Sequence, residues 1–357
     1  MRFANLDPKG YARYDTKQRL NSSNQIISTN RMLEIFRCRI FIESIRSLSS
    51  HSTISNTRRS NLPQVLPYRI ACILEIAKKD IFGQDYALKT IINHIKSRKG
   101  SPGNQKALSL LLTGFTGTGK THTSYTLAKL LFKLGNRSKC FLHIRSNLIF
   151  TISSSLEEQE EYLYKLIRDQ LKSCPKSLII LDEVDRLPPG LLNSICPFLD
   201  FHPSFTNFNS SQSIFLFITN IGGERINSEI ERLWLENSRV LYRDQMKAIE
   251  TLILNDLMIK KNGLQESDVL KKSLIDDIVV FMPLERQHVV NCINKNYSEI
   301  TNTNESETLK SIVKYTIDEL EFFPESHKIF SKTGCKQVYG KVAYFASVLQ
   351  HDQHQPL

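Results

Sequence analysis

Short apolar runs alternate along this chain with longer segments whose apolar residues recur every three to four positions. Ala107-Leu-Ser-Leu-Leu-Leu-Thr113 is a continuous apolar run of strand length. Cys140–Ile144, Ser177–Leu181 and Ser213–Thr219 are three more, the last almost wholly apolar. Helical spacing lies between them, predicting helices over about 85–97 and from Thr121 to Leu134. Residues 66–78 carry the same spacing upstream. Strands apolar on both faces and separated by helices predict an α/β fold, a parallel sheet with helices on both faces. From about Leu284 the pattern turns mainly helical, with a short Val338–Val342 stretch near the end. Three parts follow: a basic, Ser/Asn-rich tail or targeting segment at 1–65, a large nucleotide-binding domain at 66–283, and a small helical lid at 284–357.

Composition narrows the class only slightly. The 357 residues are 41% hydrophobic and 23% charged, ordinary for a globular chain. No run of about 18 apolar residues marks a conventional membrane span. The net charge of +11 hints at nucleic acid until it is located. Residues 1–62 hold eleven Lys/Arg and four Asp/Glu, so most of the excess sits in the tail. The body keeps little of it, and nucleic acid is not the expected partner. A secretory signal needs an unbroken apolar run of about 7–15 residues near the start. Arg37 and Arg39 interrupt the best candidate, which reads instead as an amphipathic helix over 32–48. The Ser/Asn/Thr-rich stretch at 47–62, with Arg58-Arg59, reads as a linker.

The strongest chemical signal is Gly114-Phe-Thr-Gly-Thr-Gly119-Lys120-Thr121, which fits the P-loop pattern at every fixed position. Glycines let backbone N–H groups turn inward around phosphate oxygens. The helix that follows presents its positive end to the same anion. Gly114, Thr116, Gly117, Thr118 and Gly119 would wrap the phosphates of ATP. Lys120 would reach the β- and γ-phosphates, and the Thr121 hydroxyl would hold Mg²⁺.

Two strand ends complete the pattern. Leu178-Ile-Ile-Leu is a buried strand from which Asp182-Glu183 emerges at the carboxyl edge, where open α/β sheets bind ligands. Asp182 would hold Mg²⁺ through its water shell, and Glu183 would orient and deprotonate the attacking water. Asn220 ends the apolar run Ile214-Phe-Leu-Phe-Ile-Thr and could hold that water by a hydrogen bond. In this order the three motifs describe an AAA+-type ATPase. Ile81-Phe82-Gly83-Gln84 matches the segment that packs on adenine in such proteins, although Phe82 reads equally well as core.

Further motifs narrow the resemblance: Leu187-Pro-Pro-Gly190, Pro197-Phe-Leu-Asp200, Pro283-Leu-Glu-Arg-Gln-His288-Val, Phe322-Phe-Pro and Gly334-Cys335-Lys336. With Ile81–Gln84 they make residues 66–345 resemble the torsin family, AAA+ proteins related to the Clp disaggregases. The resemblance implies that Lys336 is the sensor-2 residue, approaching the γ-phosphate from the lid. It implies that Cys292 and Cys335 pair, coupling redox state to that loop. It implies a chaperone-like remodeller of proteins or membrane complexes, resident in the ER lumen and nuclear envelope. Its partners would be protein substrates, a membrane-anchored activator with an ATPase-like lumenal domain, and further copies of itself. Of the seven cysteines, Cys72, Cys140 and Cys196 are expected to be buried free thiols.

Departures from the family are specific. Many animal torsins have Asn where this chain has Thr121, the general P-loop choice. Arg225, Arg232, Arg239 and Arg243 follow Asn220, but none has a recognisable arginine-finger context, so structural or solvated roles are expected. Ser146–Tyr164 lacks the glycine of a threading pore loop and reads as a capped, acidic helix start. Sequons stand at Asn136, Asn209, Asn296 and Asn304. Two other readings compete: a nucleic-acid-loading AAA+ protein, and an ATP-switched scaffold with little turnover.

Overall fold

The computed structural model describes residues 74–99, 106–146, 155–200, 209–236, 243–259, 263–265, 267–301 and 306–352. The tail expectations for 1–65, together with Cys38, Cys72, Arg239, Asn304 and the loop around Phe150, lie outside these residues. Two compact units divide at Glu75 and Ile76, and everything below concerns Ile76–Leu357.

A five-stranded parallel sheet forms from β1 (Leu108–Gly114), β2 (Phe141–Arg145), β3 (Leu178–Asp182), β4 (Ile214–Thr219) and β5 (Asp277–Phe281). Their spatial order is β2-β3-β4-β1-β5. Alternate side chains of a strand point to opposite faces, and here both faces are apolar. Leu111, Ile179, Leu181, Phe215 and Phe217 enter one core cluster. Their neighbours Leu110, Leu112, Leu178, Ile180, Leu216 and Ile218 enter the other. This double burial explains why β1, β3 and β4 read as continuous apolar runs. Truncating Leu111 or Phe217 to Ala should cost about 2–5 kcal/mol.

The helices expected at 85–97, from Thr121 and after the capped Ser155 start are present. α1 (Asp85–Lys99) precedes β1, and α2 (Lys120–Leu131) starts at the P-loop. α3 (Leu156–Ser173) opens with a capping box: Ser155 accepts from the Glu158 amide and the Glu158 carboxylate accepts from the Ser155 amide. α4 (Gly223–Leu235) and α5 (Arg243–Ile259) follow β4.

β5 is absent from the sequence-based expectation. Asp277-Ile-Val-Val-Phe is apolar for only four residues and abuts Met282-Pro283, so a run this short fits strand or buried helix equally. Its pairing with β1, Leu110↔Asp277 to Gly114↔Phe281, places the P-loop strand inside the sheet rather than at its edge.

Beyond Pro283 a third core forms from Leu284, Val289, Ile293, Tyr297, Ile312, Val338 and Val342. It joins α6 (Arg286–Thr301), α7 (Ser306–Asp318), the small antiparallel pair β6 (Phe322–Phe323) and β7 (Phe330–Ser331), and α8 (Val338–Asp352). The Val338–Val342 stretch is the start of α8.

Candidate nucleotide-binding site

The carboxyl ends of β1, β3 and β4 converge on a cavity of about 460 Å³, closed on its far side by α6 and the loop before α8. Phe82, Thr116–Thr121, Asp182, Glu183, Asn220, Cys292, Cys335 and Lys336 line it. Two expected residues act from behind. Gly83, at φ +71°, packs its backbone against the His288 ring. Gly114 offers its carbonyl to Lys120.

The P-loop turns through left-handed backbone at Gly117 (φ +78°) and Gly119 (φ +102°), a conformation glycine reaches at little cost. A Cβ placed on Gly119 would meet nothing within 4 Å, so the loop faces open space. Lys120 is buried, and its Nζ donates to Gly114 O at 2.6 Å, Phe115 O at 2.8 Å and Asn220 Oδ1 at 2.9 Å. Burial pushes its pKa down to about 8, with Lys336 adding repulsion and Asp182 and Asp185 opposing. A buried cation with backbone partners and open space ahead of it is suited to a phosphate anion.

Thr121 Oγ1 donates to Asp182 Oδ2 at 3.0 Å. Asp182 is buried, which alone raises its pKa. Hydrogen bonds from His143, Thr121 and the Glu183 amide outweigh that and hold it below the ordinary value. A hydroxyl and an ionised carboxylate in contact are the hard oxygen donors Mg²⁺ takes, and their fit to it is good. Glu183 sits in left-handed backbone at φ +58°. Its Oε2 is buried and accepts no hydrogen bond, lying 3.5 Å from Arg186 Nη1. Asn220 lines the cleft with its side-chain Oδ1 accepting from Lys120, and its backbone N–H and the Thr219 hydroxyl both donate to Asp185 Oδ1.

The C-terminal helical region meets the P-loop directly. The Cys335 amide donates to Gly117 O at 3.3 Å. Cys335 is disulfide-bonded to Cys292 of α6, Cα to Cα 6.3 Å. Lys295, one turn further along α6, donates to Asp80 Oδ1 at 2.8 Å. A second bond, Cys140–Cys174, corrects the expectation of a free thiol at Cys140. Its partner follows α3 in the turn before β3, a proximity that spacing along the chain does not reveal. Cys196 is a buried free thiol, its pKa pushed up to about 11 by burial.

Gln84 escaped the sequence reading. It is 1% exposed, donates to Thr118 O and Met282 O, and accepts from the Met282 amide. It ties the P-loop to the end of β5. The glutamine that ends Ile81-Phe-Gly-Gln84 was the available signal. Arg225 is held bidentately by Asp256, and Arg232 by Glu229 and Glu236, so both have partners within their own chain.

Residues 68–181 match the family model described as Torsin, and 284–345 match the Torsin-1A C-terminal domain. A torsin-like protein of Caenorhabditis elegans is 34% identical over 264 residues, 73% of each chain. Two Hsp104 structures share the fold at a TM-score of 0.56. One is a closed state with ATPγS and FITC-casein, 17% identical over 82% of this chain and 48% of that one. The other is the S. cerevisiae Hsp104–ADP complex, 16% identical over 80% of this chain and 49% of that one. The chain thus spans about half of each Hsp104 chain. With a parallel sheet, a P-loop and a helical C-terminal region in the order these comparisons match, the chain belongs to the torsin family of AAA+ ATPases.

Proposed function

We propose that the cleft binds ATP with Mg²⁺ and hydrolyses it, and that residues 284–357 act as the lid over the nucleotide. The observation that carries this reading is one cleft holding Lys120 Nζ 2.9 Å from Asn220 and Thr121 Oγ1 3.0 Å from Asp182, with Lys336 on its wall. Lys120 exchanges its backbone carbonyl partners for phosphate oxygens, and the P-loop amides orient the chain of phosphates. Thr121 and Asp182 hold Mg²⁺, which when bound neutralises charge on the β- and γ-phosphates. Glu183, whose Oε2 has no hydrogen-bond partner, takes the proton of the attacking water. Asn220 positions that water, Lys336 approaches the γ-phosphate from the lid, and Phe82 lies against the base.

Turnover needs a positive charge supplied in trans. Arg225 and Arg232 being committed to internal carboxylates supports that reading. The partner supplying it is a membrane-anchored activator with an ATPase-like lumenal domain, and ATP state governs remodelling of protein or membrane-bound substrates. Two disulfides fit an oxidising compartment, hence the ER lumen and nuclear envelope. No described helix is long and apolar enough to cross a membrane.

The test is turnover of the purified protein alone, followed by retention of a partner from an ER membrane extract by Glu183→Gln in ATP. Slow turnover alone, and ATP-dependent retention lost in Lys120→Ala, is the expected result. Fast turnover without a partner would contradict the requirement for an activator.

A further inference from the structure

A polar network runs from Thr121 and Asp182 to two side chains outside the cleft lining. Asp182 Oδ2 accepts from Thr121 Oγ1 at 3.0 Å and lies 3.2 Å from His143 Nε2. Asp182 Oδ1 accepts from the Glu183 amide at 3.0 Å. His143 Nδ1 lies 2.7 Å from the Tyr125 hydroxyl. Tyr125 stands four residues after Thr121 on α2, one turn along the same face. On the sheet, Arg145 of β2 pairs with Asp182 of β3, so His143, two residues back, shares Arg145's face.

The chemistry orders these contacts. An ionised carboxylate only accepts, so His143 Nε2 must carry the proton that meets it. In the neutral ring Nδ1 is then an acceptor, and the Tyr125 hydroxyl donates to it. Tyr125 thereby gives Nδ1 a donor and supports the tautomer that Asp182 requires of His143. The His143 side chain is only 8% exposed. It packs in a cluster of three rings, with Tyr125 edge-on at 5.3 Å and Phe141 at 6.5 Å. A ligand carboxylate held by a histidine and its own donor is the arrangement that tunes metal affinity from outside the ligand set.

We propose that His143 and Tyr125 are positioning residues for the Mg²⁺ site, holding the Asp182 carboxylate in the orientation that serves the metal beside the P-loop. The inference rests on the reading of Asp182 as a magnesium-holding residue. Neither side chain lines the cleft, so neither touches nucleotide. Their effect should therefore fall on the metal-dependent part of nucleotide affinity.

The experiment measures binding of a fluorescent ATP analogue to the full chain in EDTA and in saturating Mg²⁺, alongside melting temperature. The ratio of the two affinities is the readout. His143→Leu should lower that ratio about tenfold while leaving the EDTA affinity as in the wild type. His143→Gln, which restores an N–H donor near the Nε2 position, should recover most of it. Tyr125→Phe keeps the ring packing and removes only the hydroxyl, so it should lower the ratio a few-fold with an unchanged melting temperature. If both His143→Leu and Tyr125→Phe keep the wild-type ratio, or if His143→Gln loses as much as His143→Leu, the inference is wrong. A parallel fall in EDTA affinity and melting temperature would reduce the pair to packing and also overturn it. A wild type that gains nothing from Mg²⁺ would overturn the reading of Asp182 itself, and this inference with it, a pattern distinct from unresponsive variants.

Discussion

The amide of Cys335 donates to the carbonyl of Gly117 at 3.3 Å, so the loop before α8 is seated on the P-loop backbone. Contact is close in both directions. A Cβ on Gly117 would lie 1.8 Å from Thr333 O, and one on Gly334 would lie 2.1 Å from Gly117 O. Each glycine is there because the other loop occupies the space a side chain would need.

Gly117→Ala should therefore unseat the lid while leaving the sheet folded. Left-handed backbone alone costs a non-glycine residue about 1–2 kcal/mol, and the steric overlap adds to it. Hydrogen exchange of the peptide carrying Cys335 should accelerate, and ATP affinity should fall at least about tenfold, the equivalent of 1.4 kcal/mol. Unchanged exchange at Cys335 would show that the loops do not depend on each other.

The two disulfides among the described residues should behave differently. Cys140–Cys174 spans 34 residues and lies outside the cleft lining. Replacing both cysteines by Ala should cost roughly 3–4 kcal/mol by the loop-entropy relation, read in a urea melt, with ATP affinity nearly unchanged. Replacing Cys292 and Cys335, which both line the cleft, should change ATP affinity as well as stability. Equal effects of the two replacements on ATP affinity would contradict this division.

His94 Nε2 lies 2.7 Å from Asp277 Oδ2, joining α1 to the first residue of β5. The hydrogen bond to Asp277 raises the His94 pKa, partial burial opposes it, Asp277 and Asp276 add attraction, and Arg98 subtracts. A raised folded pKa means that the native state holds the proton more tightly than the unfolded chain, whose value is about 6.5. The stabilisation is complete below about pH 6.5 and is lost as pH rises through the folded value. In urea melts, His94→Gln should lose more stability relative to wild type at about pH 5.5 than at about pH 8.5. A gap independent of pH would remove the ion-pair account.

Much of the fold was legible because the physics is local. Both-face burial wrote β1, β3 and β4 as apolar runs, and the P-loop and Asp182-Glu183 follow their strands directly. The Ser155 box was legible for the same reason. What was not legible depends on pairing across the chain. β5 is a five-residue strand with no periodicity long enough to separate it from helix. Gln84, His143 and Tyr125 take their meaning from Met282, Asp182 and each other, distant in sequence. Cys140 and Cys174 meet only because β2 and β3 are neighbours.

The central claim is hydrolysis of ATP by Glu183 in a cleft that binds nucleotide through Lys120. Single-turnover conversion of labelled ATP, with protein in excess and affinity measured in the same samples, tests it most directly. Wild type should convert bound ATP, slowly when alone. Glu183→Gln should bind ATP as tightly and convert it at least about 100-fold more slowly, the lower range for loss of a general base. Equal conversion by wild type and Glu183→Gln, or no ATP binding by wild type, would contradict the account.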